Sequence, residues 1–84
     1  MKVLKFPEDF VIRPHFIPDA QQWLYSYNDD SNNMISIVGG GIGINGDGEE
    51  TFEMWDTKNM MDPMGYMSKE DIQKWFEDHP IEGE

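Results

Sequence analysis

The sequence predicts an α+β domain: a three-stranded antiparallel β-meander covered on one face by a C-terminal α-helix. Three observations carry this expectation. Aromatic and β-branched residues alternate with polar ones in two stretches, which is the period of a half-buried strand. Polar and glycine-rich turns separate those stretches from an apolar run. Near the C-terminus, a capping residue precedes apolar positions at helical spacing. Eighty-four residues make one small domain, and the absence of cysteine excludes disulfides and thiolate-held metals.

Residues 1–18, "MKVLKFPEDFVIRPHFIP", contain Pro7, Pro14 and Pro18. They exclude a helix and demote any strand to a sheet edge. An extended arm is expected, packing Phe10, Ile12 and Phe16 along an edge of the body. "QQWLYSYN" alternates Trp23, Tyr25 and Tyr27 and predicts a strand over 22–28. Asp19 and Gln22 have the spacing of a capping box, and Ala20, Trp23, Leu24 and Tyr27 show helical spacing, so a helix is the competing assignment for 22–28. The strand reading itself admits a helical turn at 19–22. "DDSNN" is a turn cluster, and "MISIV" opens the second strand, expected over 34–44. "ETFEMWD" predicts the third, over 49–56, with Phe52 and Met54 on one face and Thr51, Glu53 and Trp55 on the other. Asn45-Gly46 signals a type I′ turn between them. "TKNMMDPMGYM" is expected to be a connector. The helix is predicted over 68–79, with Ser68 as cap, Asp71 as its reciprocal partner, and Met67 and Ile72 as a hydrophobic staple. Glu70 and Lys74 form a favourably oriented i,i+4 pair, and Pro80 ends the helix. At about ten residues the helix needs tertiary support, supplied by burying Ile72, Trp75 and Phe76 for roughly 5–8 kcal/mol of transfer free energy. Residues 81–84 are expected to fray.

Six of the eight glycines fall between positions 39 and 48. Gly41, Gly43 and Gly46 match the dinucleotide fingerprint by letter. That fingerprint needs a helix to begin at the loop, and here Asp47, Glu49 and Glu50 follow instead, then a strand. Their carboxylates would repel a phosphate, so the glycines are read as serving backbone bends. Asn45, Asp47 and Glu49 have the first spacings of an EF-hand loop, but Glu50 replaces the required glycine and Asp56 the final glutamate. No metal or other cofactor is expected. His15 and His79 are the only candidate general bases of imidazole type, and His79 falls where a helix C-cap belongs. An enzyme is not expected.

The net charge of −11 is the dominant global fact. Residues 1–28 sum to zero, with Lys2, Lys5 and Arg13 against Glu8, Asp9 and Asp19; residues 29–84 carry the whole excess. Such a surface repels nucleic acid and anionic lipid, no run of about 20 apolar residues exists, and no signal-peptide pattern opens the chain. A soluble cytoplasmic protein is expected, with no direct nucleic-acid or membrane partner. Acidic residues instead suit a basic protein surface. Asp47, Glu49, Glu50, Glu53, Asp56 and Asp62 are the expected docking carboxylates, with Trp55 as the anchor. Met60, Met61, Met64 and Met67 add either core filling or an adaptable apolar surface.

The stretches "ISIVGG", "NGDGEETFEMWD" and "DPMGYMSKED", roughly residues 35–71, resemble short proteins encoded by tailed bacteriophages and prophages. The resemblance implies a small cytoplasmic product that grips a host protein rather than performing chemistry. The acidity is similar to that of anti-CRISPR proteins and other DNA mimics. The expected function is therefore a non-enzymatic inhibitor or modulator docking an acidic face on a basic host protein. Two alternatives belong to other classes. One is a nucleotide-like ligand held by the amides around Gly40, Gly41 and Gly43 with the Trp23, Tyr25 and Tyr27 face. The other is a homo-oligomeric structural component assembling through a sheet edge.

Overall fold

The structure is a computed structural model that describes residues 1–28 and 31–81. It is α+β: one five-stranded antiparallel sheet and one C-terminal helix. The strands are β1 (Val11–Pro14), β2 (Gln21–Ser26), β3 (Met34–Gly39), β4 (Phe52–Asp56) and β5 (Met64–Met67), and the helix is α1 (Lys69–Asp78). Strand order follows chain order, so every neighbour is reached by a simple return.

Two strands were missing from the three-strand expectation, and each was disguised. β1 lies in the proline-rich segment. Its register continues past Pro14, where the His15 N–H donates to the Ala20 carbonyl. That bond makes the odd-numbered residues of β1 the ones bonded to β2. Ile12 and Pro14 therefore turn their backbone polar groups outward, where the missing N–H of proline costs nothing. β5 was hidden by an irregularity opposite Glu53: Phe52 pairs with Met67 and Met54 with Met64, leaving two residues against one. Tyr66 takes φ 55° in this bulge.

The arm also differs from expectation. Its first ten residues do not run along an edge but join the helix on the core face. Leu4 and Phe10 are buried. Phe6 meets Phe10, Trp23 and Phe52 edge-on, with centroids 5.3–5.7 Å apart, and Phe10 stacks on Phe76 at 5.5 Å. Gln73 on α1 ties the arm down, donating to the Leu4 carbonyl and accepting from the Phe6 N–H. Ile12 and Phe16 are exposed, because Ile12 is at the sheet rim and Phe16 lies in the 15–20 turn. At the other terminus Ile81 does not fray: it is buried and exchanges two backbone hydrogen bonds with Lys2. Residues 82–84 lie outside the described residues, as do Asp29 and Asp30 of the expected "DDSNN" turn.

The helix is as the sequence predicts. Ser68 Oγ accepts from the Asp71 N–H, and Asp71 accepts from the Ser68 N–H. Ile72 and Phe76 are its buried residues. Lys74 pairs with Asp78 at 3.7 Å rather than with Glu70. His79 is the C-cap: its backbone N–H and its Nδ1 both reach the Trp75 carbonyl at 2.9 Å, so Nδ1 carries the proton, and its ring stacks on Trp75.

Candidate interaction surface

The sheet has two unlike faces. Ile35 and Ile37 of β3 and Phe52 and Met54 of β4 point toward α1 and the arm and are buried. No helix or strand among the described residues crosses the opposite face. Register arranges it in rows. One row runs Val11, Leu24, Ser36, Trp55 from β1 to β4; the next runs Arg13, Gln22, Val38, Glu53. Val11 is 66% exposed and Trp55 38%, whereas Val38, inside the second row, is buried and Leu24, Gln22, Ser36 and Glu53 are half-buried. Gln22 Nε2 donates to Ser36 Oγ at 2.7 Å, linking the rows.

Glu53 and Trp55 thus share the uncovered face of β4, as their alternation predicts. Glu49 and Glu50 lie in the 40–51 connection beyond one end of β4. They are exposed, and among the described residues no ion pair reaches them. Asp62 lies in the connection to β5 at the opposite end of β4. The expected docking carboxylates therefore flank β4 at both ends rather than forming one patch.

Three members of the expected set have partners within the chain: Glu53 Oε2 accepts the Asn45 N–H at 3.4 Å, and Asp56 and Asp47 are engaged more fully. Asp56 is buried, on the same side of β4 as Phe52 and Met54, and offers nothing to a partner. Its Oδ1 accepts from Tyr27 Oη (2.9 Å) and the Lys58 N–H (3.2 Å). Its Oδ2 accepts from Asn59 Nδ2 (2.8 Å) and Trp75 Nε1 (3.2 Å). The carboxylate ties the residue following β2, β4 itself, the turn after it and α1 together. Burial raises the Tyr27 phenol well above its ordinary pKa, and the hydrogen bond and charge of Asp56 add to the rise. The phenol therefore remains a donor at neutral pH.

Asp47 is exposed, but its Oδ1 accepts from the N–H groups of Glu49, Glu50 and Thr51 at 2.8–3.1 Å. These bonds hold its carboxyl below the ordinary value. Asp47 is the staple of the loop. The amides it occupies lie just beyond those around Gly40, Gly41 and Gly43 that the nucleotide alternative would use. Several other loop donors turn inward: Gly40 N–H to the Gly46 carbonyl, Ile44 N–H to that of Gly41, Gly48 N–H to that of Thr51, and Asp47 N–H to Thr51 Oγ1.

The glycines serve the bend. A Cβ on Gly39 would lie 2.4 Å from Gly48 Cα, and one on Gly46 would lie 2.6 Å from Phe52 Cα. Gly41 meets Ala20 and Ile17 of the neighbouring turn equally closely, while Gly40 and Gly43 take φ 92° and 83°. The ladder does not extend to residues 44 and 49; β3 stops at Gly39 and β4 starts at Phe52. Asn45-Gly46 sits at the middle of the register without the two positive φ values of a type I′ turn. The loop folds sideways instead, and the Tyr66 N–H donates to the Asn45 carbonyl at 2.7 Å. Trp23 and Tyr25, the aromatic half of the ligand alternative, lie under the arm against Phe6 and Phe10.

A cleft of about 350 Å³ beside the Asp56 network is lined by Tyr27, Lys58, Asn59, His79 and Ile81, with Asp78 and Pro80. Its Tyr27 and Asn59 donors already point at Asp56. Among the described residues no cluster of His, Asp and Glu has metal-holding geometry, and no helix is long and apolar enough to cross a membrane. No family model, curated protein or solved structure matches this chain.

Proposed function

We propose that the chain is a non-enzymatic protein-interaction module whose acidic surface docks on a basic host protein, in the manner of a small phage-type inhibitor. The observation that carries this reading is the pairing of Glu53 and Trp55 on the uncovered face of β4, with Glu49 and Glu50 projecting beyond its end. Trp55 supplies the large amphipathic contact typical of an interface anchor. The carboxylates supply long-range attraction and orientation, which raise the association rate more than the final affinity. Asp47 supports the reading indirectly. By fixing the loop backbone before any partner arrives, it reduces the ordering cost of presenting Glu49 and Glu50.

Any mimicry of nucleic acid is coarse. Glu49 and Glu50 are loop residues without strand spacing, whereas duplex DNA carries one charge per ~1.7 Å of axis. The docking surface is accordingly assigned to a basic protein patch and not to a specific nucleic-acid channel. Affinity capture from bacterial lysate tests it, comparing the native chain with a Glu49→Gln, Glu50→Gln, Glu53→Gln variant. A basic protein retained by the native chain, lost with the variant and released by moderate salt is the expected result. Identical catches from both chains overturn the reading.

A further inference from the structure

We propose that the uncovered sheet face also closes on a second copy of this chain, forming a two-fold dimer that occludes Trp55 and Glu53. The proposal rests on the same face as the docking reading, but its test uses the protein alone and so can fail separately.

The cross-strand rows carry the argument. The two charged residues in these rows, Arg13 and Glu53, stand at opposite ends of the same row, on β1 and β4. Three strand spacings separate them, about 14 Å. A two-fold axis parallel to the strands, passing between β2 and β3, reverses each row onto itself. Arg13 of one copy then faces Glu53 of the other, twice over. In the neighbouring row Val11 faces Trp55 and Leu24 faces Ser36. The rows are therefore neutral as a pair and self-complementary, which an isologous interface requires.

The remaining charge distribution agrees. Residues 1–28 sum to zero, whereas the 40–51 connection carries Asp47, Glu49 and Glu50. The axis lays the acidic β4 corner of one copy over the neutral β1 corner of the other, not acid on acid. Pairing through the β1 edge fits less well. On the outer rim of β1, Pro14 offers no N–H, and the Phe10 N–H is already bonded to the Pro7 carbonyl. The footprint is small. Four strands by about five residues project to roughly 300 Å² per copy, well below the ~800 Å² of a standard stable interface. The dimer is therefore weak and concentration-dependent, and it yields to a tighter basic partner.

Analytical ultracentrifugation up to about millimolar protein tests this, with Arg13→Glu, Glu53→Arg and the two variants mixed. The native chain should move from 9.8 kDa toward twice that mass. Each single variant sets like charges face to face and should weaken association at least about tenfold. An equimolar mixture should associate again, because each variant then meets an opposite charge at both contacts. Thermal melts unchanged from the native chain confirm that the variants are folded. A constant 9.8 kDa mass at every concentration overturns the proposal. So does association that neither substitution alters, as edge pairing would give, or a mixture no better than its components.

Discussion

Replacing Asp56 with alanine removes the acceptor on which four donors converge, and the structure sets the size of the effect. Two of those donors, Tyr27 Oη and Trp75 Nε1, lie inside the helix–sheet junction, at 2.9 and 3.2 Å from the carboxylate. Each buried donor left without a partner costs about 1–3 kcal/mol, so the pair accounts for about 2–6. The Lys58 and Asn59 groups are nearer the surface and can turn to water. A loss near 4 kcal/mol compares with a total stability of about 4–13 kcal/mol for a chain of this length. At about 4–8 °C per kcal/mol, the midpoint should fall by about 15–30 °C. Urea unfolding followed by tryptophan fluorescence measures it. Tyr27→Phe is the control: it deletes one donor and leaves the acceptor with three, so about 1.5–3 kcal/mol is expected. Because Asp56→Ala would then strand one fewer donor, its cost in the Tyr27→Phe background should be smaller than in the native chain. A cost below about 1 kcal/mol for Asp56→Ala would show that the carboxylate is not the junction described.

Gly39→Ala should destabilise by about 1–3 kcal/mol, since its Cβ must displace the Gly48 backbone, while Gly43→Ala meets no atom and should cost only its positive φ, about 1 kcal/mol. Comparing the two by thermal denaturation separates close approach from conformation. Ser68→Ala should lower stability by about 1 kcal/mol through loss of the cap, read as a shift in the urea midpoint. Trp55→Ala should cost about 1–2 kcal/mol, since the side chain is only 38% exposed, yet abolish both partner capture and self-association; a loss above about 3 kcal/mol instead would assign Trp55 to folding. Asp47 gives a pH signature. Its folded carboxyl titrates below its ordinary 3.8, so the ordering of the loop is complete above that value and is lost as pH falls through the lowered one. The Glu49, Glu50 and Thr51 amide resonances should move in that acidic window and not between pH 5 and 8.

The elements that sequence predicts well are those whose signals are local. Ser68 and Asp71 satisfy each other within one turn, so the helix start is legible from four residues. The alternation of Glu53 and Trp55 against Phe52 and Met54 likewise holds. The same alternation places Asp56 with Phe52 and Met54, and that parity was the available sign that Asp56 is not a surface carboxylate. Its charge suggested exposure; side-chain donors from Tyr27 and Trp75, distant in sequence, together with the nearby Asn59, made burial possible. β1 and β5 were missed for a related reason. Proline and a bulge break the local pattern, and only pairing with β2 and β4 restores the backbone bonds.

What the sequence by itself determined is the class of fold, the capped helix, the bend-forming role of the glycines and the −11 charge, because each follows from side-chain chemistry over a few residues or from a sum. Tertiary structure alone decided which carboxylates remain free, where the arm lies and which residues share a row. Those facts depend on register between distant segments: a shift of one residue would move Trp55 and Glu53 to the buried face, and no local pattern fixes the partner strand.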